Sequence, residues 1–407
     1  LNLSYFISRR ITREQTRGFS AAIHRIAVAS IGIGLAACIV SFLVMLGFQQ
    51  TVKNKIYGFS GHLLITKFTM SNAMEEPAMN YHLKVYDDPK QFPYVTHVQE
   101  YAHKGGLIKT STDEVLGVFV KGVGPRFDTK AFGVNMVEGN FISFPDSAYA
   151  AEVVVSRTIA DKLDAKVGDQ LIIHFFQDPP RFRRLKITGI YETNLSEYFD
   201  GRFIISDIRM IQRLNDWSDS IAGGLEVFVS QESQAEVAQQ EIGESMDFDL
   251  SIELVRDKFM QVFEWLNLVS RQVNILLGII LIVVCVNMIS IVLILVMERT
   301  QMIGMLKAMG ARNGFIRSIF VFNGVNLILK GLLLGNVLGL AVCFLQWKFQ
   351  IVKLNPHDYY MSYVPIGWHW DVVIVLNMLT FVVVTMVLLV PTMVIARINP
   401  IKSIRFD

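Results

Sequence analysis

The chain has 407 residues, 52% of them hydrophobic and 18% charged, and its mean hydropathy is +0.40. That is too apolar for an ordinary water-soluble protein of this length and too charged for one confined to a bilayer, so a mixed chain is expected. A net charge of only +2 gives no global reason to expect nucleic acid, and Cys38, Cys285 and Cys343 all lie in apolar runs, where they read as small buried hydrophobes rather than as a disulfide or metal framework.

Residues 1–25 carry Arg9, Arg10, Arg13, Arg17 and Arg25 against Glu14 and read as a cytoplasmic amphipathic segment. Four stretches then meet the length of about 20 apolar residues that a spanning helix needs. They are 26–48, 272–297, 318–345 and 372–396. The first is too long in its apolar core for a signal peptide and lacks a small-residue cleavage site, so it reads as a retained anchor. The segments 1–25, 298–317 and 397–407 together hold twelve basic residues against three acidic ones. The positive-inside rule therefore places both termini and the 298–317 connection in the cytoplasm. The large insert 49–271 and the short loop 346–371 fall on the opposite side, where Tyr359, Tyr360, Tyr363, Trp368 and Trp370 suit a membrane-interface belt.

The insert reads as a mixed α/β domain of small βαβ-type subdomains. "EVVVS" (152–156) has the pattern of a buried strand, "RTIADKL" (157–163) of a short helix and "VGD" (167–169) of a turn. Strands over "QLIIHFF", "RLKITGIY", "RFIIS" and "LEVFVS" alternate with helices over "DIRMIQRLN" and "QAEVAQQEIGESM". No Cys or His cluster has metal-ligand spacing, and neither G-x-S-x-G nor H-E-x-x-H occurs. Between two of the strands, "QDPPRFRR" (177–184) has two readings. It is a solvated hairpin tip stiffened by Pro179 and Pro180, or a protruding arm whose Arg181, Phe182 and Arg183 dock an acidic or aromatic partner. At the end of the insert, "KFMQVFEWLNLVSRQ" (258–272) puts Phe259, Val262, Phe263, Leu266 and Val269 on one helical face. That face packs as a stalk on its own domain, or, with Phe42, Met45 and Phe48 of the first span, lines an apolar entrance for a hydrophobic substrate.

Within the spans, Lys330 stands at what the apolar run makes a helix centre, where a charge costs roughly 2.5–3.5 kcal/mol on the insertion scale. It is expected to snorkel or to face Asn326, Asn336, Asn287 or Asn377, since no acidic residue lies in any span to complete an ion relay. Gly331, Gly335 and Gly339 form a small-residue stripe suited to close helix packing, and Pro391 is expected to kink the last span. The connection "ERTQMIGMLKAMGAR" (298–312), set on a helical wheel, shows three faces. Met302, Met305, Leu306 and Met309 form an apolar stripe; Arg299, Ile303, Lys307 and Gly310 a mostly basic one; Gly304, Ala308 and Ala311 a smooth one. A smooth face beside adaptable methionines favours docking against protein over lying on lipid.

Three stretches carry a resemblance: "FISRRI…FSAAIHRIAVASIGIGLAACIVSFLVMLGFQQTVKNKIYGFSGHLLI", "MERTQMIGMLKAMGAR" and "PTMVIARINPIKSIR". Together they resemble the LolC/LolE permeases of lipoprotein-releasing ABC transporters, within a wider group that includes MacB-type and FtsX-type permeases. The resemblance implies that Glu298, Arg299, Ile303, Gly304, Leu306, Lys307, Ala308, Gly310 and Ala311 form a coupling helix seated in a separate ATPase dimer. The chain has no G-x-x-x-x-G-K-[ST], so ATP and magnesium are expected in that partner and no cofactor in this chain. It further implies a second permease subunit, homologous or identical, a lipoprotein substrate held between the first and second spans, and a periplasmic carrier docking at 177–184. The setting implied is the inner membrane of a Gram-negative bacterium. An efflux permease of the MacB type and a force-transmitting permease of the FtsX type are the rival readings.

Overall fold

A computed structural model of the chain describes residues 19–70, 75–109, 115–145 and 148–393. Most of the expected N-terminal segment, the tail 397–407 and the last three residues of the fourth expected span, 394–396, lie outside the described residues. The α-helices longer than one turn are α1 (Phe19–Ser60), α2 (Arg157–Leu163), α3 (Ile208–Leu214), α4 (Ala235–Gly243), α5 (Met260–Glu298), α6 (Thr300–Ala308), α7 (Asn313–Phe349) and α8 (Trp370–Thr392). The chain divides into a helical unit (1–50, 265–353, 363–407) and a sheet-based unit (51–264, 354–362).

In the helical unit, α1, α5, α7 and α8 are each long and apolar enough to cross a membrane. Three of them outrun the apolar stretches that announce them. Helix formation does not stop where hydrophobicity does, and polar residues such as Lys, Gln and Glu propagate a helix well. The stalk expected at 258–272 and the second span are thus one helix, preceded by a break at Phe259 (φ −105°, ψ 32°). The glycine stripe has the role its spacing suggests. A Cβ on Gly331 would stand 2.7 Å from the Cβ of Ile31, and one on Gly335 2.8 Å from the carbonyl oxygen of Gly32. On Gly339 it would meet the Cα of Ala36 at 3.2 Å, so α7 lies against α1 at near-backbone distance. Asn336 and Asn377 exchange side-chain hydrogen bonds of 2.7 and 2.9 Å between α7 and α8. Asn287 donates to Ser30 Oγ at 2.9 Å. Pro391 lies in the last turn of α8.

The same packing sets the level of Lys330 relative to α1. Because Gly331 meets Val28 and Ile31, Lys330 lies beside the first turn of the Ile26–Phe48 apolar run rather than its middle. Its side chain is exposed.

Among the described residues, the main sheet of the sheet-based unit has ten strands, beside a two-residue pairing of Met79–Asn80 with Ile221–Ala222: β1 (Leu63–Lys67), β2 (Val95–Lys109), β3 (Val115–Val123), β4 (Met136–Gly139), β5 (Glu152–Ser156), β6 (Gln170–Phe175), β7 (Arg181–Tyr191), β8 (Phe203–Asp207), β9 (Gly224–Val229) and β10 (Leu250–Leu254). Their order is β10-β1-β9-β2-β3-β8-β5-β7-β4, and β6 pairs with both β2 and β7. The path β2-β3-β8-β5-β7-β6 therefore returns on itself, and the 15-residue β2 serves both this closed ring and the open β10-β1-β9 flank. Pairing is parallel only for β3 with β8 and for β5 with β7 and antiparallel elsewhere, so the domain is mixed α/β as expected, but built on one largely antiparallel sheet rather than on separate βαβ-type subdomains. Helix boundaries follow local chemistry. The Ser156 hydroxyl accepts from Ile159 N–H to start α2, and Asp207 accepts from Arg209 N–H to start α3. Two cores result, one around Val153, Ile173, Ile187 and Ile204 and one around Leu63, Val98, Leu225 and Ile242.

Candidate coupling and docking sites

Three places gather the residues singled out by the sequence or by their burial. The first is α6, between two spans. Ile303 is fully buried in the cluster that holds Leu295, Val296, Ile316 and Phe320, and Gly304 is buried beside it. Met302 and Leu306 pack on the same core. Outward stand Gln301, Met305, Ala308 and Met309, a stripe at helical spacing continued by Gly310 and Arg312 and flanked by Glu298. The expected apolar stripe is thus split, because the core claims one side of α6: Met302 and Leu306 turn in, Met305 and Met309 turn out. Gly304 is corrected from a docking position to a packing one, whereas Ala308 and Gly310 remain on the outer surface. Arg299, Lys307 and Ala311 are half-buried. Gly310 has φ +87°, and the Ala311 N–H returns to the Leu306 carbonyl at 3.0 Å, a left-handed helix stop that only glycine adopts without strain.

The second place is the end of α1 in the sheet-based unit. Gly61 (φ +70°) stops the helix, its N–H donating to Tyr57 O at 2.8 Å, and β1 follows within two residues. Lys121 on β3 reaches the helix end: its ammonium donates to the Phe59 carbonyl and lies 4.4 Å from the Phe59 ring centre. Glu226 on β9 pairs with it at 2.6 Å, both side chains being no more than 2% exposed. Gln99 on β2 donates to the second carboxylate oxygen at 2.8 Å. A lysine at a helix C-terminus complements the dipole, and a buried pair needs these extra hydrogen bonds to survive desolvation. Burial pushes the Lys121 ammonium below the usual lysine range, and the Glu226 carboxylate opposes that push. Phe59 also stacks on Phe199 at 4.1 Å, and Phe199 meets Phe259 edge-on at 5.5 Å, just before α5 begins. Phe199 sits in a π-helical turn, Ser196–Asp200, so one irregular turn touches the ends of both long helices. Lys53 and Tyr57 of α1 hold Glu232 at 2.8 and 3.0 Å. This cluster escapes a reading of the sequence alone. Its one signal there is a lone lysine in "VLGVFVKGV" and a lone glutamate in "LEVFV", each inside an apolar strand.

Other expected residues are dispersed. Met45, Phe263 and Leu266 are buried within the chain, and Phe42 packs on the helical core. Phe48 meets Trp265 at 5.4 Å, and Phe259 and Phe263 touch Phe199 and Tyr57. Phe42, Met45, Phe48 and Leu266 fall in the helical unit and Phe259 and Phe263 in the sheet-based unit.

The third place is the β6–β7 hairpin. Arg181, Phe182, Arg183 and Arg184 belong to β7 and not to a loop, leaving 176–180 as the tip. Arg181 is held by Asp216 at 3.0 Å and by the Leu214 carbonyl at 2.9 Å. This corrects it from a free contact residue to an anchor. Pro180 is exposed at the tip beside Pro179. Arg183 is half-buried, its Nη1 bonded to Phe182 O. Strand alternation leaves Ile172, His174, Phe182 and Arg184 on the outer face, with Phe176 exposed beyond them.

The chain is similar to known proteins over most of its length. The family model of the MacB-like periplasmic core domain matches residues 26–245, and that of the FtsX-like permease C-terminal matches 274–400. The lipoprotein-releasing system transmembrane protein LolE of Haemophilus influenzae is 23% identical, covering 92% of this chain and 93% of its own. LolC of Neisseria meningitidis serogroup B is 22% identical over the full length of both chains. The periplasmic region of MacB from Actinobacillus actinomycetemcomitans matches 53% of this chain and 98% of its own at 15% identity, with a TM-score of 0.36.

Proposed function

The chain belongs to the family of the MacB-like periplasmic core domain, and from that premise we propose that it is a permease subunit of a lipoprotein-releasing ABC transporter. The observation that carries this reading is the shared plan over nearly the whole length of its relatives. A MacB-like match runs from the first span to residue 245, and an FtsX-like match covers 274–400, while the lipoprotein-releasing relatives align over 92–100% of the chain. In the mechanism proposed, a separate ATPase dimer binds ATP and magnesium and receives the outer stripe of α6. Its closure displaces α5 and α7, which flank α6 in the chain, and α1, on which the α7 glycines lie.

Lipid-anchored cargo resists extraction by about 0.8 kcal/mol per buried methylene, so release needs external work. The α1 and α5 helices deliver that work to the sheet-based unit through the Lys121–Phe59 and Phe199–Phe259 contacts. Cargo then passes to a carrier that docks on the outer face of the β6–β7 hairpin. Both termini and α6 are proposed to lie in the cytoplasm, with the sheet-based unit in the periplasm of a Gram-negative cell. The deciding experiment is purification of the assembled complex from native membranes. Lipoprotein should co-purify with it and leave on ATP addition only when a carrier is present; a complex that never holds lipoprotein would overturn the reading in favour of efflux or signalling.

A further inference from the structure

Lys330 is not absorbed by the transport reading, and its surroundings are unusual. On α7 it lies one turn, about 5.4 Å, before Leu334 on the same face. Leu334 in turn lies over Gly32 of α1, 2.9 Å from where a Cβ would be. Lys330 therefore flanks α1 near Val28, and its long flexible stem can carry the ammonium a further turn toward His24 and Arg25. Lys330 and His24 are within electrostatic reach of each other. The Nδ1 atom of His24 is buried and has no hydrogen-bond partner, while Arg25 and Lys330 are exposed. Among the described residues, neither Arg25 nor Lys330 has a carboxylate partner. His24 and Lys330 approach each other where the apolar run of α1 begins, and Arg25 follows His24 in the chain, with exposed Ile26 and Leu329 adjoining Arg25 and Lys330 in sequence.

We propose that this notch between α1 and α7 binds the phosphate of an anionic phospholipid, its acyl chains lying along Ile26, Leu329 and Leu333. Like charges at one level repel unless an anion sits among them, and a phosphodiester supplies oxygens for an ammonium, a guanidinium and a ring N–H together. A lipid source is favoured over a soluble phosphate ester because the residues around the cations are exposed and apolar: Ile26 is 63% exposed and Leu333 70%.

The test uses the full chain, released from membranes and examined by native mass spectrometry after exchange into phosphatidylglycerol or phosphatidylcholine micelles. Wild type should retain phosphatidylglycerol selectively. Lys330→Gln and Arg25→Gln should each lower retention about fivefold, the scale of one basic residue at an anionic surface. Lys330→Arg should keep it, and inorganic phosphate in the buffer should not displace it. Equal retention by Lys330→Gln and wild type, or displacement by inorganic phosphate alone, would overturn the proposal. Should Lys330→Gln fail to fold, Arg25→Gln decides the same question, because that side chain is exposed.

Discussion

Lys121 and Glu226 meet at 2.6 Å inside the sheet, although 105 residues separate them in sequence and strand β2 runs between their strands. The lysine is shared with the carbonyl of Phe59, so one ammonium joins β9, β3 and the last turn of α1. Removing only one partner leaves a buried charge without its mate. Lys121→Met alone should therefore cost about 3–5 kcal/mol, read as a fall in thermal midpoint. The double variant Lys121→Met/Glu226→Leu should recover most of that loss, since apolar replacement of a buried pair is often neutral. If the pair also ties α1 to the sheet for transmission, the double variant will fold and assemble but release cargo poorly. Normal release by a folded double variant would confine Lys121 to stability.

The two faces of α6 make separable predictions. Ala308→Trp projects from an exposed position, so insertion and folding should be unchanged while stimulated ATP hydrolysis in the assembled complex falls at least about tenfold, or ~1.4 kcal/mol. Gly304→Leu adds bulk to a buried position and should lower the stability of the isolated chain by about 1–3 kcal/mol. Stability loss from Ala308→Trp in the isolated chain, with coupling intact, would reverse the assignment of the faces.

On the β6–β7 hairpin, Phe182→Ala and Arg184→Glu alter exposed side chains opposite His174 and Ile172. Both should leave the stability within about 0.5 kcal/mol of wild type and weaken carrier binding measured by calorimetry. Arg181→Ala removes the bonds to Asp216 and Leu214 and should shift stability more than affinity. If Arg181→Ala is the variant that loses the carrier while Phe182→Ala does not, the docking face lies elsewhere.

Much of this organisation is legible in the residues themselves. The four apolar runs, the strand at 152–156, the helix capped by Ser156 and the Gly331–Gly339 stripe all rest on local periodicity and local hydrogen bonding, which a sequence displays directly. What stayed hidden depends on partners distant in the chain. A helical wheel groups Gly304 with Ala308 but does not say which side the core will claim. The apolar run around Lys330 suggests a helix centre, and only the pairing of Gly331 with Ile31 shows which turn of α1 it lies beside. Lys121 and Glu226 become a site only once β2 has been threaded between β3 and β9.

Stability should fall in mild acid through His62. Its ring is stacked on Tyr57 at 4.2 Å, its Nδ1 accepts from Val229 N–H, and burial holds its pKa down to about 4 against an ordinary 6.5. The unfolded chain takes up a proton below pH 6.5 and the folded chain does not until about pH 4. Stability contributed by the neutral ring is therefore complete above pH 6.5 and declines by up to about 1.4 kcal/mol per pH unit across that window. Glu100 and Asp200, whose carboxyls burial pushes up, act in the opposite direction. The quantity to measure is thus the difference between wild type and His62→Gln in melts at pH 7.5 and pH 5. The gap should narrow on acidification; a gap independent of pH would exclude His62 as its source.

Close approach of α7 to α1 gives the last prediction. A side chain at Gly331 must displace Ile31, whose Cβ would be 2.7 Å from the new Cβ, and one at Gly335 must displace the Gly32 carbonyl and Leu35. Backbone cannot yield as a flexible side chain does, so Gly335→Leu should be the more damaging of the two. Each should cost at least about 1–3 kcal/mol and weaken association of the helices. Gly278 on α5 is the matched control, because nothing lies within 4 Å of its missing Cβ. Gly278→Leu should insert, fold and assemble as wild type does. Cysteine pairs placed at Ala36 and Gly339 report the contact directly: cross-linking should be rapid in wild type and in Gly278→Leu and lost in Gly335→Leu. Persistence of the cross-link in Gly335→Leu would mean that the two helices are held together by something other than the glycine stripe.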